Sequence, residues 1–152
     1  MKILQVFTLA AIVFIGLVGS VNADSILLAP DDFVGITFWV VSLACLAATA
    51  FFFIERGSVP AGWKVSLTVA GLVTGIAFVN YMYMRQIWVT TGDLPIVYRY
   101  IDWFITAPLL MIQFYFVLSA VRKVPDGVFW RLLIGSVVML SGGYLGESGH
   151  IN

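Results

Sequence analysis

Four apolar runs, each close to the length of one bilayer crossing, dominate this chain: Phe33 to Ile54, Trp63 to Met84, Val97 to Val121 and Phe129 to Leu145. A run of about 20 apolar residues is what a spanning helix needs. Backbone polar groups find no water in lipid, so each run is expected to be helical. Short polar breaks separate the runs: Glu55-Arg56-Gly57-Ser58-Val59-Pro60, a loop containing Thr90-Thr91-Gly92-Asp93-Leu94-Pro95, and Val124-Pro125-Asp126-Gly127. Their glycines and prolines stop helices. Only 11% of the 152 residues are charged and 61% are hydrophobic, whereas soluble domains carry about 25% charge. The expected class is an all-α membrane protein with four transmembrane helices. Zero net charge leaves no electrostatic footprint for nucleic acid. One cysteine, Cys45, excludes a disulfide framework or a cysteine metal site within one chain; a buried inert thiol is its expected state.

The first 23 residues read as a secretory signal: Lys2, an uncharged apolar core from Ile3 to Leu17, and Gly-Ser-Val-Asn-Ala ending at Ala23. A retained anchor is the rival reading, because Ile3 to Val21 nearly suffices to span. Cleavage would leave Asp24 outside. Arg56, Lys64, Arg122, Lys123 and Arg131 then flank inside loops, while Arg85 stands outside with Asp31, Asp32 and Asp93. That asymmetry obeys the positive-inside rule and predicts a multi-pass inner-membrane protein with its N-terminus outside, partnered by membrane lipid.

The third run carries charge where charge is expensive. Arg99, Asp102, Thr106 and Gln113 fall within an arc of roughly 60° at about 100° per residue. Asp102 to Gln113 spans roughly 16 Å of helix, about half the hydrocarbon thickness. A carboxylate, a hydroxyl and an amide staggered in depth are suited to a proton or ion relay, since intramembrane charge marks such routes. A structural ion pair between Arg99 and Asp102, one turn apart, is the competing account. Pro108 removes a backbone hydrogen bond from the same helix. Gly71 and Gly75, and Gly142 and Gly146, are spaced for close helix packing. Asn80 reads as an interhelical hydrogen-bonding group and Glu147 as a solvated interface residue. Trp103, Phe104, Tyr81, Met139 and Tyr144 would either pack the helices or line a cofactor pocket. No Ser-His-Asp set, metal-ligand spacing or phosphate loop occurs, so neither an enzyme nor a metal site is expected.

From about Asp32 to Gly149 the chain resembles the microbial rhodopsins, and among them the proteorhodopsin group. The resemblance rests on Phe51-Phe-Phe-Ile-Glu-Arg56, on Ser66-Leu-Thr-Val-Ala-Gly-Leu-Val-Thr-Gly-Ile-Ala-Phe78, on Tyr81-Met-Tyr-Met-Arg85, on Tyr98-Arg-Tyr-Ile-Asp-Trp103 and on Gly143-Tyr-Leu-Gly-Glu147. It implies that residues 24–152 form the first four helices of a seven-helix bundle around retinal, held as a protonated Schiff base on a lysine. It further implies a light-driven outward proton pump, a homo-oligomer when complete. Asp102 would be counterion and proton acceptor, Arg99 its charge partner and outward gate, and Thr106 part of the acceptor network. Trp103, Leu110, Met139 and Gly143 would line the retinal pocket, with Tyr81 near the counterion. Leu110 matches the position associated with green absorption. Gln113 stands where pumps carry an internal proton donor, which brings in a slow-cycling light sensor as an alternative. Asn80 stands where the group has a histidine. The family's helices five to seven, with the retinal lysine, are expected to be missing, since Lys2, Lys64 and Lys123 all lie outside the apolar core. An open half-bundle of this kind is expected to expose Arg99 and Asp102. A non-photochemical membrane interaction protein is the remaining alternative.

Overall fold

The computed structural model describes residues 28–149; the signal segment, His150 and the C-terminal Ile-Asn lie outside the described residues. Among them are four α-helices and no strands: α1 (Phe33–Glu55), α2 (Ala61–Thr91), α3 (Ile96–Val121) and α4 (Asp126–Glu147). All four are long and apolar enough to cross a membrane, with mean hydropathy of 1.5 to 2.1 over their best stretches.

Chemistry at the helix starts explains where they begin. Asp32 caps α1 by accepting a hydrogen bond from the Gly35 backbone N–H at 2.9 Å. Pro60, Pro95 and Pro125 immediately precede α2, α3 and α4. Their ring-fixed φ suits that position, where no intrahelical N–H is needed. Two boundaries differ from expectation. The helix expected to end at Met84 continues to Thr91, because Arg85-Gln-Ile-Trp-Val-Thr contains no breaker. It stops only where Gly92 adopts φ 69°, a left-handed cap. The 31 residues span roughly 46 Å, longer than the ~30 Å hydrocarbon layer, so the polar last turns lie beyond it. Asp126 and Gly127, expected in a turn, instead open the first turn of α4, where an acidic side chain suits the helix dipole.

Only consecutive helices pack together: α1 on α2, α2 on α3, and α3 on α4. The first contact is polar at three depths. Trp88 Nε1 donates to both Asp32 oxygens at 3.0 Å. The Thr49 and Thr74 hydroxyls are 2.8 Å apart. Arg56 Nε donates to Thr68 Oγ1 at 2.7 Å. A Cβ on Gly71 would sit 2.9 Å from the Phe53 ring, so that glycine does permit close packing. Gly142 and Gly146 do not: nothing lies within 4 Å of either added Cβ. Among the described residues α4 packs only on α3, and no helix faces that pair. Buried side chains include nearly as many polar as apolar residues, with Ser42, Ser66, Asp102, Thr106 and Ser136 beside Val69, Ala70, Val73, Met84, Tyr100 and Leu140. Phe33, Val121, Val138 and Met139 are exposed. Apolar surface costs nothing in lipid, so small polar residues concentrate at helix contacts.

Candidate functional site

The third helix turns Tyr100, Asp102, Trp103, Thr106, Ala107 and Leu110 toward a cleft of about 530 Å³. α2 contributes Val73, Ala77 and Tyr81 to its wall; α4 contributes Met139, Leu140 and Gly143. Asp102, Thr106, Tyr81, Trp103, Leu110, Met139 and Gly143, singled out from the sequence, thus line one space. Arg99 and Gln113 are not in its wall.

Asp102 is buried, with 7% of its surface exposed. The exposure expected for it in an open row of helices is therefore not found, because it sits between α2 and α3 and lines clefts on both sides. Its Oδ1 is buried without a hydrogen-bond partner. An unsatisfied carboxylate oxygen is costly to bury and calls for a donor or a positive charge. Thr106 does not supply one: its hydroxyl donates to the Asp102 backbone carbonyl at 2.9 Å, one turn back.

Nor does Arg99. The ion pair weighed between Arg99 and Asp102 is not formed. Arg99 Nη2 instead donates to Glu147 Oε1 at 2.7 Å, the one salt bridge among the described residues. The Tyr100 hydroxyl donates to the other Glu147 oxygen at 2.9 Å. Glu147 is exposed, as expected of a solvated interface residue, and it also ties α3 to α4. The Arg99 guanidinium also lies 5.8 Å from the Trp103 ring centre, within cation–π range. Tyr100 meets the Trp103 and Tyr144 rings edge-on, each at 5.2 Å. A Cβ on Gly143 would come within 3.1 Å of the Tyr100 hydroxyl, so the glycine makes room for it. Asn80 does not bridge helices: its Nδ2 donates to Met84 Sδ at 3.3 Å, within α2. Tyr100 and Glu147 are what sequence reasoning missed. Tyr100 lies three and seven residues before Trp103 and Ala107, spacings that put it on their face. Glu147 sits at the end of a helix, where hydropathy says only that water is near.

Comparison with known proteins then decides the family. Residues 32–151 match the model of the bacteriorhodopsin-like proteins. The chain belongs to this family. As a bacteriorhodopsin-like protein it is 57% identical over 119 residues to a green-light absorbing proteorhodopsin of Gamma-proteobacterium EBAC31A08, covering 78% of this chain and 48% of that one. It is 55% identical, also over 119 residues, to a blue-light absorbing proteorhodopsin of Gamma-proteobacterium Hot 75m4, covering 78% and 47%. In structure it matches the blue light-absorbing proteorhodopsin from Med12 with a TM-score of 0.70 at 55% identity, covering 80% of this chain and 57% of that one. Exiguobacterium sibiricum rhodopsin gives 0.64 at 37% identity, covering 76% and 48%. The chain spans about half the length of the curated relatives it matches.

An elongated apolar group with a positive end, such as a protonated imine of retinal, would find a suitable wall here. The lining is mostly apolar and aromatic, and the orphaned Asp102 oxygen offers the counter-charge. The amine for a covalent link is not among the lining residues. Lys64 stands in the first turn of α2, and Lys123 follows the end of α3.

Proposed function

We propose that the chain provides the first four helices of a retinal-binding photoreceptor that pumps protons outward under light. The observation that carries the proposal is the buried, unpartnered Asp102 Oδ1 in a cleft shared with Tyr81, Trp103, Leu110, Met139 and Gly143. Retinal would supply light absorption and, once condensed with a lysine amine from the completing helices with loss of water, a protonated imine nitrogen that can give up its proton. Asp102 carries the counter-charge before that transfer and holds the proton afterwards. Thr106, fixed to the Asp102 carbonyl, holds the helical turn that aims the carboxylate. Trp103, Leu110 and Met139 give the cleft an apolar wall against which a long apolar group would pack. Arg99, in the first turn of α3 and drawn to Glu147 at the end of α4, would stand between Asp102 and the outside and favour release in that direction. The excess of Arg and Lys at the other end of the bundle supports an orientation with the N-terminus outside.

Co-expression with a chain carrying the last three helices of the green-light absorbing relative, with added retinal, tests this reading. A visible pigment whose illumination acidifies the medium is the expected result. Asp102→Asn in that pair should shift the absorption to the red and abolish acidification. Pumping that survives the substitution refutes the acceptor role.

Gln113 favours a second reading, a slow-cycling light sensor. An amide has no titratable proton to return from the inner side. A photocycle lasting seconds without net acidification, shortened by Gln113→Glu, would establish it. An unchanged decay in Gln113→Glu would remove this residue from the inner pathway.

A further inference from the structure

A second cleft, of about 550 Å³, opens on another face of α2. At about 100° per residue, its α2 wall at Leu72, Ile76, Val79 and Tyr83 is turned roughly 140° from the Val73, Ala77 and Tyr81 wall of the first. Phe53 of α1 and Ile101 and Ile105 of α3 extend a groove whose exposed surface is nearly wholly apolar, although Thr49, Asn80 and the buried Asp102 also border it. Phe53, Leu72, Val79 and Ile101 stay about half exposed there, and α4 packs only on α3. From Gly71 to Tyr83 the groove follows roughly 18 Å of helix; one leaflet of the hydrocarbon layer is about 15 Å deep.

Its Gly71 end is basic. One turn beyond Phe53 and Gly71, Arg56 Nε donates to Thr68 Oγ1 at 2.7 Å, and the Thr68 hydroxyl donates to the Lys64 carbonyl at 2.7 Å. That network places Arg56 beside the first turn of α2, which carries Lys64. Neither forms an ion pair among the described residues. Glu55, the neighbouring acid, offsets one of the two positive charges and leaves the groove's end net positive.

We propose that this groove seats an acyl chain of an anionic phospholipid whose headgroup phosphate is held by Arg56 and Lys64. Length, apolarity and charge agree: an acyl chain of one leaflet fills the groove while its phosphate reaches the basic end. Zwitterionic phospholipids carry a phosphate too, but their added positive group cancels the attraction.

Native mass spectrometry of the full chain, released from detergent micelles doped equally with phosphatidylglycerol and phosphatidylcholine, tests the proposal. The retained lipid should be phosphatidylglycerol, with a preference of about fivefold for each basic residue engaged. Arg56→Ala with Lys64→Ala should bring the preference close to parity. Arg122→Ala with Lys123→Ala removes equal charge from the same end away from the groove, and should leave the preference intact. Should losing the Arg56–Thr68 bond unfold the chain, Lys64→Ala alone should lower the preference about fivefold. Ile76→Trp, which fills the groove and keeps both charges, should release the lipid. Parity in the wild type, equal losses in both double variants, or lipid retained by Ile76→Trp would each overturn the proposal. So would a second copy of the chain bound in place of lipid.

Discussion

Glu147 shows how one side chain can join two helices. Both of its oxygens are engaged, by Arg99 and by Tyr100. The Arg99 and Glu147 side chains are 39% and 37% exposed, so screening keeps their pairing weak. A double-mutant cycle with Arg99→Gln and Glu147→Gln should give a coupling of about 0.2–1 kcal/mol, read from denaturant unfolding in detergent. Tyr100 is buried, and Tyr100→Phe should cost about 1 kcal/mol in the same assay. Helical spacing made Asp102 and Thr106 legible as a pair, whereas Arg99 and Gln113 on the same arc stay out of the cleft, and Leu110 and Gly143 were pointed to by the family resemblance. Neither made the pairing of Glu147 legible. The distance between Arg99 and Glu147 is 48 positions along the chain, and only the packing of α4 on α3 brings them together. The same packing explains why the nearer acid, Asp102, is not the partner of Arg99.

Helix existence was written in hydropathy, while two helix boundaries were written in backbone chemistry that hydropathy does not register. α2 runs past Arg85 to Gly92 because nothing before that glycine interrupts it. The extra turns carry Trp88, whose indole reaches Asp32 at the start of α1. The Gly35 N–H above all, helped by that indole, holds the Asp32 carboxyl below its ordinary value of 3.8, against partial desolvation. A carboxyl with a lowered folded pKa adds stability above its unfolded pKa and loses it as pH falls through the folded one. Wild type should therefore exceed Asp32→Asn in thermal stability at neutral pH, and the difference should be lost as the pH falls through the lowered folded pKa. The glycines separate by neighbours in the same way. Gly71→Val forces a side chain into the Phe53 ring and should cost about 1–3 kcal/mol. Gly142→Ala meets nothing within 4 Å and should be neutral or stabilising by up to about 1 kcal/mol. Unfolding in detergent measures both.

The described residues form a row of four helices, with basic residues gathered where α1, α2, α3 and α4 meet their inner loops in the proposed orientation. Asp93→Cys, between α2 and α3, should react with a membrane-impermeant maleimide added to intact spheroplasts, and Gly127→Cys should react only after lysis. The opposite pattern would reverse the orientation. Because contacts among the described helices join only consecutive ones, α1 and α4 are linked there through the two between them. Such a row behaves as a linear chain of couplings. Loss of a terminal helix removes one interface, whereas loss of α2 or α3 removes two and severs the molecule. Every contact can also form as soon as the next helix leaves the ribosome, so assembly needs no waiting for a distant partner. Among the described helices, the order of contacts follows the order of synthesis.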